Sequence, residues 1–129
     1  MILGIGVDIV HLPRIAHLVR RRGTQRLARR ILSQQELNEF RLFAPAIEEE
    51  TIAHKSLIYL GSRWCIKEAV YKALFPVHRL EWKQVTVYKE QGKPMLSIAN
   101  SAQYGIARSH VALSHDGEYA VAQVVLESA

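Results

Sequence analysis

One cysteine, four prolines and seven glycines in 129 residues exclude several classes of protein at once. Cys65 alone forms neither an intrachain disulfide framework nor a thiolate metal site, which suits a reducing intracellular compartment, whether bacterial cytoplasm or organelle (mitochondrial) matrix. No apolar run approaches the roughly 20 residues of a membrane span. The opening Met1-Ile2-Leu3-Gly4-Ile5-Gly6-Val7-Asp8 has no basic leader, so no signal or transit peptide is expected. Gly4 and Gly6 lead into no glycine-rich turn, so a dinucleotide fingerprint is absent. There is no internal repeat and no low-complexity segment. With 49% hydrophobic and 22% charged residues, residues 1–129 are expected to form one globular domain.

Acidic residues are missing where basic ones crowd. Arg14, Arg20, Arg21, Arg22, Arg26, Arg29 and Arg30 have no Asp or Glu among them between Asp8 and Glu36, and they dominate a net charge of +5. Such a face is either simply solvated or meets something acidic: nucleic acid, an anionic membrane or an acidic protein.

What the chain does have is a strongly patterned stretch from Ser62 to Phe75. Ile66, Ala69, Val70, Ala73 and Leu74 recur at helical spacing and predict one buried stripe. Glu68 and Lys72 lie four apart on the opposite face, flanked by Trp64, Tyr71 and Phe75. A helix apolar nearly all round is covered on more than one side, so this carboxylate and ammonium are either a structural ion pair or parts of a site.

The remainder predicts an α+β fold with a largely antiparallel sheet packed against helices. Residues 2–10 read as a buried strand, in which Asp8 calls for a cation or metal partner unless it caps the following turn. Pro13 suits a first helical turn, with Ile15, Leu18 and Val19 inward and Gly23 as terminator. Thr24 is expected to cap a second helix carrying Leu27, Ala28, Ile31 and Leu32. Ser33 and Glu36 form a capping box for a third, with Leu37 and Phe40 inward. Residues 44–50 read as an exposed linker, and helical pattern resumes near Ile52 with a break at Gly61 and an end at Pro76. A strand over 82–88, a turn at Gln91-Gly92-Lys93-Pro94 and a strand over 95–98 make a hairpin. A short helix from Asn100 to Arg108 and a last pair of strands, 111–114 and 119–126, around Asp116-Gly117 complete the chain.

Three polar features stand among apolar neighbours: Asp8, the Glu68/Lys72 pair, and Ser114-His115-Asp116. If they converge, two carboxylates suit Mg²⁺, which keeps several waters and completes its shell with substrate phosphate oxygens, and a lysine beside them counters the charge that phosphoryl transfer builds up. His115 is either a proton shuttle or phosphate ligand, or an ordinary surface residue. Ser114-His115-Asp116 is no hydrolase triad, because three consecutive residues cannot all face one another.

Several motifs together resemble a known family. Gly4-Ile5-Gly6-Val7-Asp8-Ile9-Val10 with Arg14, then Arg63-Trp64-Cys65-Ile66-Lys67-Glu68-Ala69-Val70-Tyr71-Lys72-Ala73-Leu74, then Gly92-Lys93-Pro94, and Leu113-Ser114-His115-Asp116 ahead of Tyr119-Ala120-Val121-Ala122 resemble, in order and spacing, the small holo-[acyl-carrier-protein] synthases of the 4'-phosphopantetheinyl transferase family. The resemblance covers nearly the whole chain. It implies that family's fold and transfer of the phosphopantetheine arm of coenzyme A to a serine of an apo acyl carrier protein, releasing adenosine 3',5'-bisphosphate. It implies Mg²⁺ held by Asp8 and Glu68, with Lys72 on the phosphates. Glu68 then takes the serine proton, directly or through a bound water, with His115 as a further catalytic group. Coenzyme A would meet Asp8, Arg63, Lys72, Gly92, Lys93, Pro94 and His115. Arg14, Arg21, Arg22 and Arg26 would dock the acidic carrier, and small members form homotrimers with sites at subunit boundaries. Where the family has a glycine-rich Gly-x-Gly-Ile turn, this chain has Phe75-Pro76-Val77-His78-Arg79, so side chains of Arg79 or His78 are expected at the nucleotide instead. Ala112 replaces a serine common in relatives, a change expected to be tolerated. Two rivals differ in kind: a nucleic-acid-binding module, with steeply salt-dependent binding, and a Mg²⁺-dependent phosphohydrolase, active without a carrier protein.

Overall fold

The computed structural model describes residues 1–44 and 52–129. In chain order they form β1 (Ile2–His11), α1 (Leu12–Arg22), α2 (Thr24–Ile31), α3 (Gln34–Phe40), α4 (His54–Leu74), β2 (Val85–Glu90), β3 (Lys93–Ile98), β4 (Arg108–Asp116) and β5 (Tyr119–Glu127). Every pairing is antiparallel, in a three-stranded sheet ordered β1-β5-β4 and a two-stranded sheet of β2 and β3. The α+β expectation with antiparallel pairing therefore holds.

The organising contact is α4 against β1. A Cβ at Gly4 would overlap the Ala73 carbonyl, and one at Gly6 the Ala69 carbonyl, so the two glycines let strand and helix backbones meet. Ile66, Ala69, Val70, Ala73 and Leu74 are buried as their spacing predicts, and Ala120, Ala122, Val124 and Leu126 of β5 complete that core. Ile15 and Val19 pack from α1, Leu27, Ala28 and Ile31 from α2.

The two sides of β1 differ. It is an edge strand with one covered face, whereas Ile5, Val7 and Ile9 point outward at 61%, 57% and 61% exposure. The expectation of a fully buried strand is corrected: a β-branched run looks alike whether its second face is covered or bare. Gly23, with φ of 89°, caps α2 and Thr24 already lies inside that helix, so Thr24 is not the cap. The Ser33/Glu36 box forms as expected, with Ser33 N donating to Glu36 Oε1 at 2.9 Å. Helix α4 runs unbroken through Gly61, where any Cβ would press on Leu12 Cδ2 at 2.7 Å. That glycine serves packing rather than a break.

Trp82–Gln84 is a 3-10 turn rather than strand, closed by Glu81 N donating to Gln84 Oε1 at 2.9 Å. The hairpin turn is Gln91-Gly92, both at positive φ, so strand β3 starts at Lys93 and includes Pro94. The helix expected from Asn100 shrinks to a 3-10 turn at Ser101–Tyr104, ended by Gly105 at φ of 72°. Asp116 pairs with Tyr119, so the last turn is Gly117-Glu118, one residue later than expected. The linker expected at 44–50 lies, beyond Ala44, outside the described residues.

Candidate active site

Asp8 sits on the α4 side of β1 because inward residues alternate along the strand, and Gly6 lets it come close. Lys72 Nζ donates to Asp8 Oδ1 at 2.9 Å and to the Val7 carbonyl at 3.2 Å. The hydrogen bond from Lys72 to Asp8 holds the lysine's pKa above its ordinary value, although its side chain is 51% exposed. Glu68, one turn earlier, has its carboxyl held above the usual carboxylate range, first by burial and then by the Asp8 charge. Lys72, a hydrogen bond from Trp82 and the Arg14 charge pull it back in part. Asp8, Glu68 and Lys72 thus form one electrostatic cluster.

Their donor set fits a divalent cation. Two carboxylates are hard oxygen ligands, too few for a protein-only cage but suited to Mg²⁺ completed by water and substrate oxygens. Among the described residues no group of three or more His, Cys, Asp or Glu side chains gathers to hold a metal. Cys65 beneath the cluster is inert, its thiol pushed up to about 12 by burial and the Asp8 charge while it donates to the Asp8 carbonyl.

Among the described residues, cavities open at three places along α4. One of about 400 Å³ is lined by Glu68 with Arg30, Tyr71, Trp82 and Lys83. A second, about 170 Å³, has Arg14, Arg22 and Arg30 around Leu18, Leu27, Trp64 and Trp82. Arg30 and Trp82 border both. A third, about 260 Å³, brings together Arg63, Gly92, Pro94 and His115 with Ser62 and Val87.

Convergence is therefore partial. Asp8 meets Lys72 and its charge reaches Glu68, whereas His115 lines the cavity of Arg63 and not that of Glu68. Arg63 and Glu68 are five residues apart, about 7.5 Å along the helix and about 140° around it, and none of these three cavities is lined by both. Lys93 is exposed at the start of β3, next to Gly92 and Pro94. Arg21 and Arg26 are exposed on α1 and α2. His78 packs edge-on to Tyr104, with centroids 4.9 Å apart, and Arg79 lies 5.4 Å over Phe75; neither borders these three cavities.

Arg63 is buried between two carboxylates, with Nε 3.8 Å from Glu36 and a terminal nitrogen 3.8 Å from Glu39, and its guanidinium lies 3.6 Å over the Tyr59 ring. Sequence reasoning missed Lys67 and Glu36, both 1% exposed and paired. It also missed Arg30 and Trp82 as cavity walls. A lysine inside an apolar stripe was the available signal for Lys67, while Glu36 was explained by its capping role alone.

A family model described as the 4'-phosphopantetheinyl transferase superfamily matches residues 4–124. The chain belongs to that superfamily. A curated holo-[acyl-carrier-protein] synthase of Trichlorobacter lovleyi is 38% identical to it over 99% of each chain. A crystal structure of the Neisseria meningitidis holo-[acyl-carrier-protein] synthase superposes with a TM-score of 0.83 at 32% identity, covering 99% of this chain and 100% of that one. The Bacillus anthracis holo-(acyl-carrier-protein) synthase in complex with CoA (3',5'-ADP) gives 0.77 at 29% identity, covering 100% and 99%. The resemblance read from the sequence is borne out, and the chain is a transferase of the holo-[acyl-carrier-protein] synthase type. No helix among the described residues is long and apolar enough to cross a membrane.

Proposed function

We propose that this phosphopantetheinyl transferase moves the 4'-phosphopantetheine arm of coenzyme A onto a serine of an apo acyl carrier protein, leaving adenosine 3',5'-bisphosphate. The observation that carries the reading is the Lys72–Asp8 pair joining α4 to β1, with the charges of both acting on Glu68. Mg²⁺, held by Asp8 and Glu68, would supply charge neutralisation on the pyrophosphate. Lys72 turns its ammonium toward the same oxygens. The Glu68 carboxylate accepts the serine proton, directly or through a bound water, as the serine oxygen bonds to the pantetheine-side phosphorus and the pyrophosphate P–O bond breaks.

The arginine-rimmed groove has an apolar floor of Leu18, Leu27, Trp64 and Trp82 and adjoins the Glu68 cavity through Arg30. It suits an acidic carrier delivering its serine, with Arg14 and Arg22 at the rim and Arg21 and Arg26 outside it. Arg63, Gly92, Pro94 and His115, with Lys93 beside them, form the nucleotide half of the site, in which His115 acts on the phosphates. Because that half lies apart from Glu68 on one chain, we assign the complete site to a boundary between protomers of a homotrimer. The bare apolar row of Ile5, Val7 and Ile9, continued by Val121 and Tyr119, favours such an assembly. The bacterial relatives above favour a cytoplasmic enzyme.

The direct test mixes the protein with coenzyme A, Mg²⁺ and an apo carrier protein and follows the carrier by mass spectrometry. Addition of the phosphopantetheine arm is expected from the native chain and not from Glu68→Gln. Release of inorganic phosphate without carrier, or tight DNA binding with no arm transfer, overturns the reading.

A further inference from the structure

Lys67 immediately precedes Glu68 in α4 and points away from the solvent side, at 1% exposure. An ammonium has three donors and no acceptor, and here all three find oxygen: Glu36 Oε1, the Ile31 carbonyl at 2.9 Å and the Trp82 carbonyl at 3.1 Å. Those carbonyls lie at or next to the walls of the Glu68 cavity. Trp82 lines it directly, and Ile31 follows Arg30, which lines it too. Glu36 completes the junction, accepting from Ser33 N and Val87 N at 2.9 Å each.

A buried ion pair of this kind gives no more stability than well-packed apolar residues of similar volume. Its distinctive property is direction: one fixed nitrogen sets where the end of α2 and the 82–84 turn stand against α4. We propose that Lys67 is a positioning residue for the transfer reaction, pinning the Trp82 carbonyl and the end of α2 so that the wall facing Glu68 keeps the spacing the incoming serine requires. The kinetic part of this claim rests on the transferase reading above; the geometric part does not.

The chain's two tryptophans, Trp64 and Trp82, have ring centroids 4.9 Å apart at 55°, so their coupled circular-dichroism signal reads the wall's position directly. In Lys67→Met, Arg63 stays beside Glu36 to carry its charge. Expected are native helix content, a weakened tryptophan couplet, unchanged coenzyme A binding by calorimetry, and a fall in kcat of about a hundredfold, the size that a misplacement of about 1 Å produces. A lost couplet with native kcat overturns the proposal, as does a native couplet with lost kcat, or coenzyme A binding that weakens in step with kcat. Should the single variant not fold, Lys67→Met with Glu36→Gln removes the uncompensated charge and is read the same way; failure of both to fold makes the pair a folding element only and overturns the positioning role. If the native chain transfers no arm, the transferase reading fails, and the geometric claim is decided by the tryptophan couplet alone.

Discussion

Lys72 Nζ stands 2.9 Å from Asp8 Oδ1 across 64 residues of sequence. Without substrate, the lysine neutralises a carboxylate that would otherwise stand uncompensated on the covered side of β1. On the proposed reading, phosphates and Mg²⁺ take over that neutralisation when coenzyme A binds. Asp8→Asn then removes a metal ligand while keeping a hydrogen-bond acceptor for Lys72. The expected outcome is a fall in kcat/KM of about a hundredfold or more, near 2.7 kcal/mol of transition-state stabilisation, with a higher Mg²⁺ concentration for half-maximal rate. An unchanged Mg²⁺ titration would remove Asp8 from the metal site.

Glu68 carries a cost that its function explains. Its carboxyl is harder to ionise in the folded chain than in the unfolded one, because of burial and the Asp8 charge. Between the unfolded value of about 4.3 and the raised folded value, the folded state binds more protons, so stability falls as pH rises through that window. Glu68→Gln should therefore melt higher than the native chain at neutral pH, with the gain vanishing below the unfolded value, while transferring no arm. The native rate should fall on the acid side as Glu68 takes a proton. Thermal melts of both proteins across pH, beside the mass-spectrometric assay, check both halves. A variant no more stable at neutral pH than at low pH contradicts the assigned electrostatics.

Much of this was legible before any coordinates. The stripe from Ile66 to Leu74, the Ser33/Glu36 box and the hairpins follow from local periodicity and turn chemistry, and all form. Non-local facts were not legible. Nothing in the sequence says that Glu36 closes on Lys67, 31 residues away, because a capping glutamate already has a local explanation. The bare side of β1 was hidden for a related reason: Ile5, Val7 and Ile9 look like core residues until the helix is seen to cover only Gly4, Gly6, Asp8 and Val10. For the candidate site, polar character in apolar company singled out Asp8, Glu68 and Lys72, but the separation of His115 from Glu68 needed the hairpin's position.

The bare face yields its own prediction. Val7 is 57% exposed at the middle of the outward row of β1, opposite Gln123. In a lone chain, Val7→Glu places a charge in water and should shift stability by no more than about 0.5 kcal/mol. In the proposed trimer it buries an unpaired carboxylate at each boundary, which should release monomers and abolish transfer, since neither half-site is complete alone. Sedimentation at several concentrations reads the first effect and the carrier assay the second. A monomeric variant with native rate would sink the shared-site assignment.

Carrier docking is tested at Arg22, on the rim of the groove with Leu18 and Leu27. Arg22→Glu should raise KM for the acidic carrier about tenfold at low salt and by less as salt screens the charge. KM for coenzyme A should not move. Equal effects on both KM values would place Arg22 in the nucleotide half instead.

Gly6→Ala asks whether strand and helix must touch for the chemistry to occur. The added methyl would overlap the Ala69 carbonyl, a backbone atom that can give way only if α4 and β1 separate. Overpacking of this kind costs about 1–3 kcal/mol, and the separation carries Asp8 away from Glu68 and Lys72. Val10→Ala, on the same inner face two residues beyond Asp8, lowers stability through a cavity instead and leaves the backbones in contact. Assayed at a temperature where both variants are folded, Gly6→Ala should lose kcat by at least about tenfold more than Val10→Ala. Equal losses at equal stability would mean that the close approach serves folding only, and that Asp8 reaches its partners without it.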